Sequence, residues 1–282
     1  MQKIIVTGSS GMVGLYLVLV LQKYYDVYPF SHQQLDITDK KKLKSIFEKV
    51  RPSVVIHLAA LTNVDLCQEQ ENKAYAINTE GTDNIVCCCE TFGSTLVYLS
   101  TGMVFDGKKT LPYSENDSVA VAVNTYGQSK LFGEQNIQKK LSNFYILRTT
   151  WLFGGGKKDK KFVGKMIELG QKYDSVSVVN DTWGTPTYTY DLSLAICEIC
   201  RKSPAYGIYH LANGGVCNRV SFAEKIFSYA KITCRVEGVS SETFPTLAPR
   251  PINESITSSK FHKVYKMRTW EKALYHYITS EL

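Results

Sequence analysis

The sequence lacks an apolar stretch long enough to cross a bilayer, and its most apolar run, Leu15–Leu21, covers only about two helical turns. It also lacks, near Met1, the basic region, apolar core and small-residue cleavage site of a secretory signal. We therefore expect a cytoplasmic protein that does not contact membranes.

Disulfide and metal patterns are missing as well. The eight cysteines include the consecutive Cys87–Cys89, and adjacent cysteines do not easily form a framework of bridges. Cys197 and Cys200 form a C-x-x-C pair, but no second Cys pair or His pair stands at zinc-ligand spacing. We expect no metal.

Neither sign of charge dominates strongly, since 33 Lys and Arg face 26 Asp and Glu for a net charge of +7. Two basic clusters, at 40–44 and 157–161, lack interleaved aromatics and any nucleic-acid reader motif, so we expect no nucleic acid partner. The second cluster follows Gly154–Gly156, and as a secondary interpretation it attracts a phosphate-bearing substrate.

Short β-rich runs alternate with helical patterns through the first half of the chain, which indicates βαβ units and a parallel sheet. One helix is predicted over Glu71–Thr91, and the predicted strands are Lys3–Thr7, Val27–Phe30, Val54–Ala60, Thr95–Thr101 and Phe144–Thr149. We predict an α/β protein with a Rossmann-like, doubly wound sheet in residues 1–150 and a smaller, mainly substrate-binding lobe in 151–282. Segments near 176–180 and 207–212 are predicted to return to the first sheet.

A glycine-spaced turn follows the first predicted strand, in the sequence Gly8-Ser9-Ser10-Gly11-Met12-Val13-Gly14. Such glycines let the backbone approach a pyrophosphate, and the N-terminus of the following helix supplies free N–H donors. The second strand ends at Ser31-His32 without the acid that binds a ribose 2′-hydroxyl, which favours NADP(H) and leaves NAD(H) open. Asp36 comes slightly later and is expected near the adenine.

Tyr126 and Lys130 are four residues apart, so on a helix their side chains share one face. A phenol with an ordinary pKa of about 10 is a poor acid at neutral pH, and a nearby ammonium is predicted to lower that pKa. The hydroxyl of Thr101, at the end of the fourth predicted strand, is placed to bind the same reacting oxygen.

In the order of these motifs, together with Leu35–Asp39 and His57–Ala60, the chain resembles the extended short-chain dehydrogenases. More narrowly, it resembles the dTDP-4-dehydrorhamnose reductase family nearly end to end, in segments that include Asp181–Thr187. The resemblance implies NAD(P)H-dependent reduction of the C4 ketone of a nucleotide-linked 4-keto-6-deoxy sugar.

The resemblance also implies roles for residues. The catalytic set is Thr101, Tyr126 and Lys130. Cofactor contacts are expected at Gly8, Ser10, Gly11, Met12, Val13, Gly14, Ser31, His32, Asp36, Ile37, Ala59, Ala60, Leu61, Thr62, Tyr126 and Lys130. Substrate contacts are expected at Val64, Thr101, Gly102, Met103, Tyr126, Trp151, Trp183 and Arg250.

One departure concerns the sugar. The family reads Ser-Thr-Asp-Tyr where this chain reads Ser100-Thr101-Gly102-Met103. Gly102 is expected to open space, which permits a bulkier sugar such as a 2-acetamido variant. Lys161 replaces a usual asparagine of the family.

Alternatives stay open at this point. One alternative is that this chain is a non-catalytic regulatory subunit, like the beta subunit of methionine adenosyltransferase, which resembles the same family and keeps the nucleotide fold. A bifunctional epimerase/reductase also fits. The sequence does not identify the nucleotide or the sugar, and it leaves a homodimer open.

Overall fold

A computed structural model describes residues 1–119, 121–156 and 159–282. Six parallel strands form its central sheet. From one edge to the other they are β2 (Asp26–Phe30), β1 (Lys3–Thr7), β3 (Val54–His57), β4 (Thr95–Thr101), β5 (Phe144–Thr149) and β10 (Gly207–His210). The chain runs outward from β1 to β2 and then turns back through β3, so the winding reverses beside β1. In such sheets a crevice opens at the carboxyl ends of the strands at this reversal.

Helices cover both faces of the sheet, which explains the nearly continuous apolar strands. On one face, Ile4 and Val6 pack with Leu17 and Ile196; on the other, Ile5 packs among helices that include Phe47. The helices are α1 (Met12–Leu21), α2 (Lys40–Val50), α3 (Val64–Glu69), α4 (Glu71–Tyr75), α5 (Thr82–Phe92), α6 (Thr125–Lys140), α7 (Phe162–Lys172), α8 (Thr189–Lys202), α9 (Arg219–Ala230) and α10 (Trp270–Glu281). A π-helical turn, Ala76–Gly81, joins α4 to α5.

The C-terminal half adds a second core around aromatic side chains, including Phe153, Tyr188, Phe222 and Tyr277. Three small two-stranded sheets surround it. They pair β6 (Leu152–Phe153) with β9 (Thr187–Tyr188), β8 (Trp183–Gly184) with β11 (Cys217–Asn218), and β7 (Ser175–Val179) with β12 (Arg235–Val239).

The prediction that residues 176–180 return to the central sheet is therefore wrong. β7 instead pairs in parallel with β12 in the small lobe. Val176 and Val178 are buried whereas Ser177 is exposed, and such alternation suits a strand with one solvated face. β10, by contrast, is the edge strand of the central sheet beside β5. The division of the chain at residue 150 stays a prediction.

No helix in the described ranges is long and apolar enough to cross a membrane. All eight cysteines are free. The same ranges contain no cluster of three or more His, Cys, Asp or Glu side chains arranged to hold a metal ion. Lys157 and Lys158, of the second basic cluster, lie outside the described residues.

Candidate active site

A cavity of about 730 Å³ lies along the carboxyl ends of the central strands. All the predicted cofactor residues from Gly8 to Thr62 line it except Ser31, and so do the predicted catalytic residues Thr101, Tyr126 and Lys130. The backbone N–H of Ser31 bonds instead to the side-chain oxygen of Gln34, at 2.9 Å. Residues far apart in sequence thus share one space.

The glycine turn between β1 and α1 fits a pyrophosphate. Gly8 has a φ of +67°, and a Cβ there would lie 2.7 Å from the backbone nitrogen of Ala59, so the turn packs directly on the chain after β3. Gly11, the N-cap of α1, makes no side-chain cap, which leaves the first N–H groups of the helix for a bound anion. Gly11 itself is exposed and lines the cavity.

The far end of the cavity carries Asp36 and His32. The backbone N–H and the hydroxyl of Thr38 both donate to Asp36 Oδ1, at 2.9 and 2.8 Å. These bonds hold the pKa of Asp36 below its usual range, the backbone bond acting most. The carboxylate is therefore charged at neutral pH and available to accept hydrogen bonds from a nucleoside.

Asn78, in the π-helical turn, fixes the middle of the cavity. Its side chain accepts the Leu61 N–H at 2.8 Å and donates to the Leu61 carbonyl at 3.0 Å and to the Ser129 hydroxyl at 3.0 Å. Ser129 donates in turn to the carbonyl of Tyr126, at 2.8 Å. This chain of bonds ties the cavity wall at Leu61 to helix α6. π-helical turns are common at functional sites.

Asn124 caps helix α6 and sets the position of Tyr126. Its side-chain oxygen accepts the Gly127 N–H at 2.8 Å, and its side-chain N–H donates to the Pro249 carbonyl at 2.9 Å. Tyr126 is half-buried on the first turn of this helix. Burial raises the pKa of its phenol, and a hydrogen bond with Thr101 acts in the opposite direction.

The prediction that Lys130 lowers the pKa of the Tyr126 phenol is wrong for the arrangement in the structure, where that pKa is raised. Its Nζ lies 4.0 Å from the centre of the Tyr98 ring, and Lys130 is not among the groups that act on the Tyr126 pKa. Lys130 is only 3% exposed, and burial lowers its own pKa to about 7. With a pKa of about 7, the amine is only partly protonated at neutral pH, so it gives a phenolate less help than an ordinary lysine would.

At the other end of the cavity, Val64, Met103 and Trp151 line the wall as predicted substrate contacts. Trp183 and Arg250 do not line it. Trp183 is 45% exposed, and Arg250 pairs with Asp65 at 2.8 Å. Their substrate roles stay predictions.

Gly102 does not open space, so that prediction is wrong. A Cβ at Gly102 would lie 2.4 Å from Thr150 Cγ2 and 3.1 Å from the Glu254 carbonyl oxygen. Gly102 is buried beneath these atoms and does not line the cavity. Gly102 therefore provides no additional room for a bulkier sugar.

The lining also includes polar and charged residues that are not among the predicted contacts, although Lys161 belongs to the second basic cluster. Among them are Lys73, Thr149, Lys161, Arg219 and Glu254. Thr149 ends β5, so the rule that ligands bind at the carboxyl ends of strands could have found it. Arg219 and Glu254 come from the C-terminal half, and no local spacing in the sequence links them to Tyr126.

A doubly wound sheet whose cavity joins a glycine turn to a Tyr–x–x–x–Lys helix defines an extended short-chain dehydrogenase/reductase. A family model described as the RmlD substrate binding domain matches residues 1–282, and the chain belongs to this family. The predicted family and the Rossmann-like fold are confirmed.

Three relatives illustrate the likeness. The chain is 33% identical to the spore coat polysaccharide biosynthesis protein SpsK of Bacillus subtilis, over 99% of this chain and 97% of that protein. It is 31% identical to the dTDP-4-dehydrorhamnose reductase of Sinorhizobium fredii, over 96% and 95%. The solved structure of the Bacillus anthracis dTDP-4-dehydrorhamnose reductase in complex with NADP is 36% identical, covers 99% of each chain and superposes with a TM-score of 0.94.

Proposed function

We propose that this chain is an NADPH-dependent reductase that acts on the C4 ketone of a nucleotide-linked 4-keto-6-deoxy sugar. The observation that carries the proposal is the shared cavity, which places Tyr126 and Thr101 in the same space as the glycine turn. The assignment to the reductase family, with NADP bound in a 36% identical relative, supports both the reaction and the cofactor.

The bound dinucleotide would supply hydride. Gly11 and the start of α1 would hold its pyrophosphate, and Asp36 and Ile37 would lie against its adenosine. His32 lines the same end and can contact a 2′-phosphate, which is consistent with NADP(H). These contacts rest on geometry that already fits the group, above all the close approach of Gly8 to Ala59.

Tyr126 would donate its hydroxyl proton to the oxygen of the sugar ketone as negative charge develops there. Its raised pKa keeps the phenol protonated, so the donor is present across the neutral range. The Thr101 hydroxyl would orient the same carbonyl oxygen. Lys130 titrates near neutrality, so the negative charge of a bound dinucleotide would favour its ammonium form.

The test is Tyr126→Phe, which removes one hydroxyl from the cavity. We expect kcat with NADPH and a 4-keto-6-deoxy sugar nucleotide to fall by about 10²- to 10⁴-fold, the usual contribution of a positioned acid. NADPH binding, followed by fluorescence, should persist. Tyr24→Phe is the matched control, because Tyr24 is exposed and does not line the cavity.

Three outcomes separate the alternatives. Unchanged turnover in Tyr126→Phe contradicts the mechanism. NADPH binding by the wild-type chain without turnover of any 4-keto sugar nucleotide favours the regulatory alternative. Solvent deuterium found on ring carbons beside C4 of the product indicates an additional epimerase activity. The ratio of kcat/KM for NADPH to that for NADH tests the cofactor preference.

The homodimer and the cytoplasmic location stay predictions. Sedimentation of the purified protein and cell fractionation test them.

A further inference from the structure

Glu254 is a buried acid in the wall of the cavity, and the proposed mechanism does not use it. It is 7% exposed and lies in the chain segment that crosses from the small lobe to the end of β4. Its backbone N–H donates to the Trp183 carbonyl at 3.0 Å, and its own carbonyl oxygen faces Gly102. The backbone on both sides of the carboxylate is therefore fixed.

The side chain of Glu254 is held on one side only. Trp151 Nε1 donates to Glu254 Oε1 at 2.5 Å. Among the described residues, the second carboxylate oxygen has no hydrogen-bond partner. Since Glu254 lines the cavity, this oxygen can accept a hydrogen bond from a ligand there.

Two neighbours keep the carboxylate in place. Burial raises the pKa of Glu254, and the charge of the Arg219 guanidinium, which lies 3.5 Å from the centre of a Trp151 ring, acts in the opposite direction and favours the ionised form. Trp151 has a φ of +41°, an uncommon conformation for a tryptophan. A Cβ at Gly184 would lie 2.1 Å from the Trp151 indole, so a glycine is needed beneath that ring. These contacts fix the orientation of the Trp151 indole that donates to Glu254.

Glu254 also lies at the reacting end of the cavity. Its charge is one of those that act on the Tyr126 phenol, together with Cys67. Its backbone abuts the turn that directly follows Thr101. A ligand that places its ketone against Tyr126 and Thr101 therefore brings its sugar ring close to this carboxylate.

We propose that Glu254 determines sugar specificity by accepting a hydrogen bond from a donor on the hexose ring, either a hydroxyl or an acylamino N–H. This rests on the proposed function, since it assumes that the sugar ring lies beside Tyr126. A carboxylate can only accept, so the site favours sugars that present a donor at this position. Trp151 and Arg219 are positioning residues for it.

The test combines a substitution of Glu254 with the removal of one hydrogen-bond donor from the substrate. Glu254→Ala and wild type are compared on the intact 4-keto-6-deoxy sugar nucleotide, on its 2-deoxy and 3-deoxy analogues, and on the 2-acetamido analogue. For the analogue that lacks the donor, we expect wild-type kcat/KM to fall roughly 10- to 100-fold, as for a hydrogen bond to a charged group. In Glu254→Ala, the ratio of kcat/KM for the intact substrate to kcat/KM for that analogue should approach one.

The same comparison distinguishes the two kinds of donor. If wild type discriminates against the 2-deoxy analogue and Glu254→Ala does not, the donor is the 2-substituent. The kcat/KM values for the intact and 2-acetamido substrates then show whether a hydroxyl or an N–H is preferred. Ile252→Ala is the control, because Ile252 lies two residues before Glu254 but is exposed and does not line the cavity. Equal discrimination by wild type and Glu254→Ala against every analogue overturns the proposal.

Binding measurements separate this proposal from the proposed function. Affinities of the same sugar nucleotides are measured with NADP⁺ present, independently of turnover. If the wild-type chain reduces none of them, the proposed function fails, while the affinity ratios still decide the role of Glu254. If Glu254→Ala does not fold, the isosteric Glu254→Gln replaces it, with a smaller but measurable loss of discrimination expected.

Discussion

Replacing Gly102 by alanine tests the packing at the end of β4 directly. The added Cβ would lie 2.4 Å from Thr150 Cγ2, about 1 Å closer than ordinary van der Waals contact. Thr150 cannot rotate away freely, because its hydroxyl donates to the Thr185 carbonyl at 2.8 Å. Overpacking of this kind typically costs about 1–3 kcal/mol, so we expect the free energy of unfolding to fall by that amount.

A second substitution makes the prediction specific. Thr150→Ser removes the Cγ2 methyl and keeps the hydroxyl, at a cost of about 0.5–1.5 kcal/mol for one buried methyl group. Because the clash in Gly102→Ala is with that methyl, the double variant should be more stable than the sum of the single effects by at least about 1 kcal/mol. Gly214→Ala is the control, since its Cβ would meet no atom closer than 3.8 Å.

The assay is urea unfolding of all four proteins and the control, with the slope against denaturant checked for constancy. Wild-type stability in Gly102→Ala would refute the reasoning and restore the prediction that Gly102 opens space for a larger sugar. If Gly102→Ala loses the expected stability and Thr150→Ser does not restore it, the clash lies elsewhere. The Glu254 carbonyl oxygen, at 3.1 Å from the added Cβ, is then the next candidate.

Two other predictions concern buried charges. Burial lowers the pKa of Lys130 to about 7, so between that pH and the unfolded pKa of about 10.4 the unfolded chain binds more protons, and the free energy of unfolding without cofactor should rise with pH. Urea unfolding at pH 7 and pH 9.5 should show a smaller rise in Lys130→Met than in wild type. An identical rise in the two proteins would contradict this prediction. Arg148→Met leaves Glu134, its partner at 2.6 Å, buried without a countercharge and should cost about 3–5 kcal/mol in the same assay; a loss below about 1 kcal/mol would be contrary to this account.

The sequence predicts the central sheet well because each of its strands carries its own signal. Lys3–Thr7, Thr95–Thr101 and Phe144–Thr149 are predicted with the bounds that the structure has. Each is an apolar run between helical patterns, and burial on both faces makes such runs conspicuous. The helix predicted over Glu71–Thr91 is instead divided by a π-helical turn, which hydrophobic periodicity alone does not reveal.

β7 was misplaced because strand propensity does not specify a partner. Residues 175–179 have the β-branched composition of a strand, and β12 pairs with them from 60 residues further along the chain. Their alternating pattern of Ser and Val already indicates one solvated face. That pattern is unlike a strand in the interior of a doubly covered parallel sheet, and it matches the one solvated face that β7 has in the structure.

The two ends of the cavity differ in how far the sequence predicts them, and the reason is contact range. Tyr126 and Lys130 share a helix, and the glycine turn spans seven residues, so short spacings encode both. The sugar end joins Trp151 to Glu254 across 103 residues, and its Arg219 comes from a third segment. Glu254, whose contacts join three distant segments of the chain, is the position where this chain's substrate preference is to be sought.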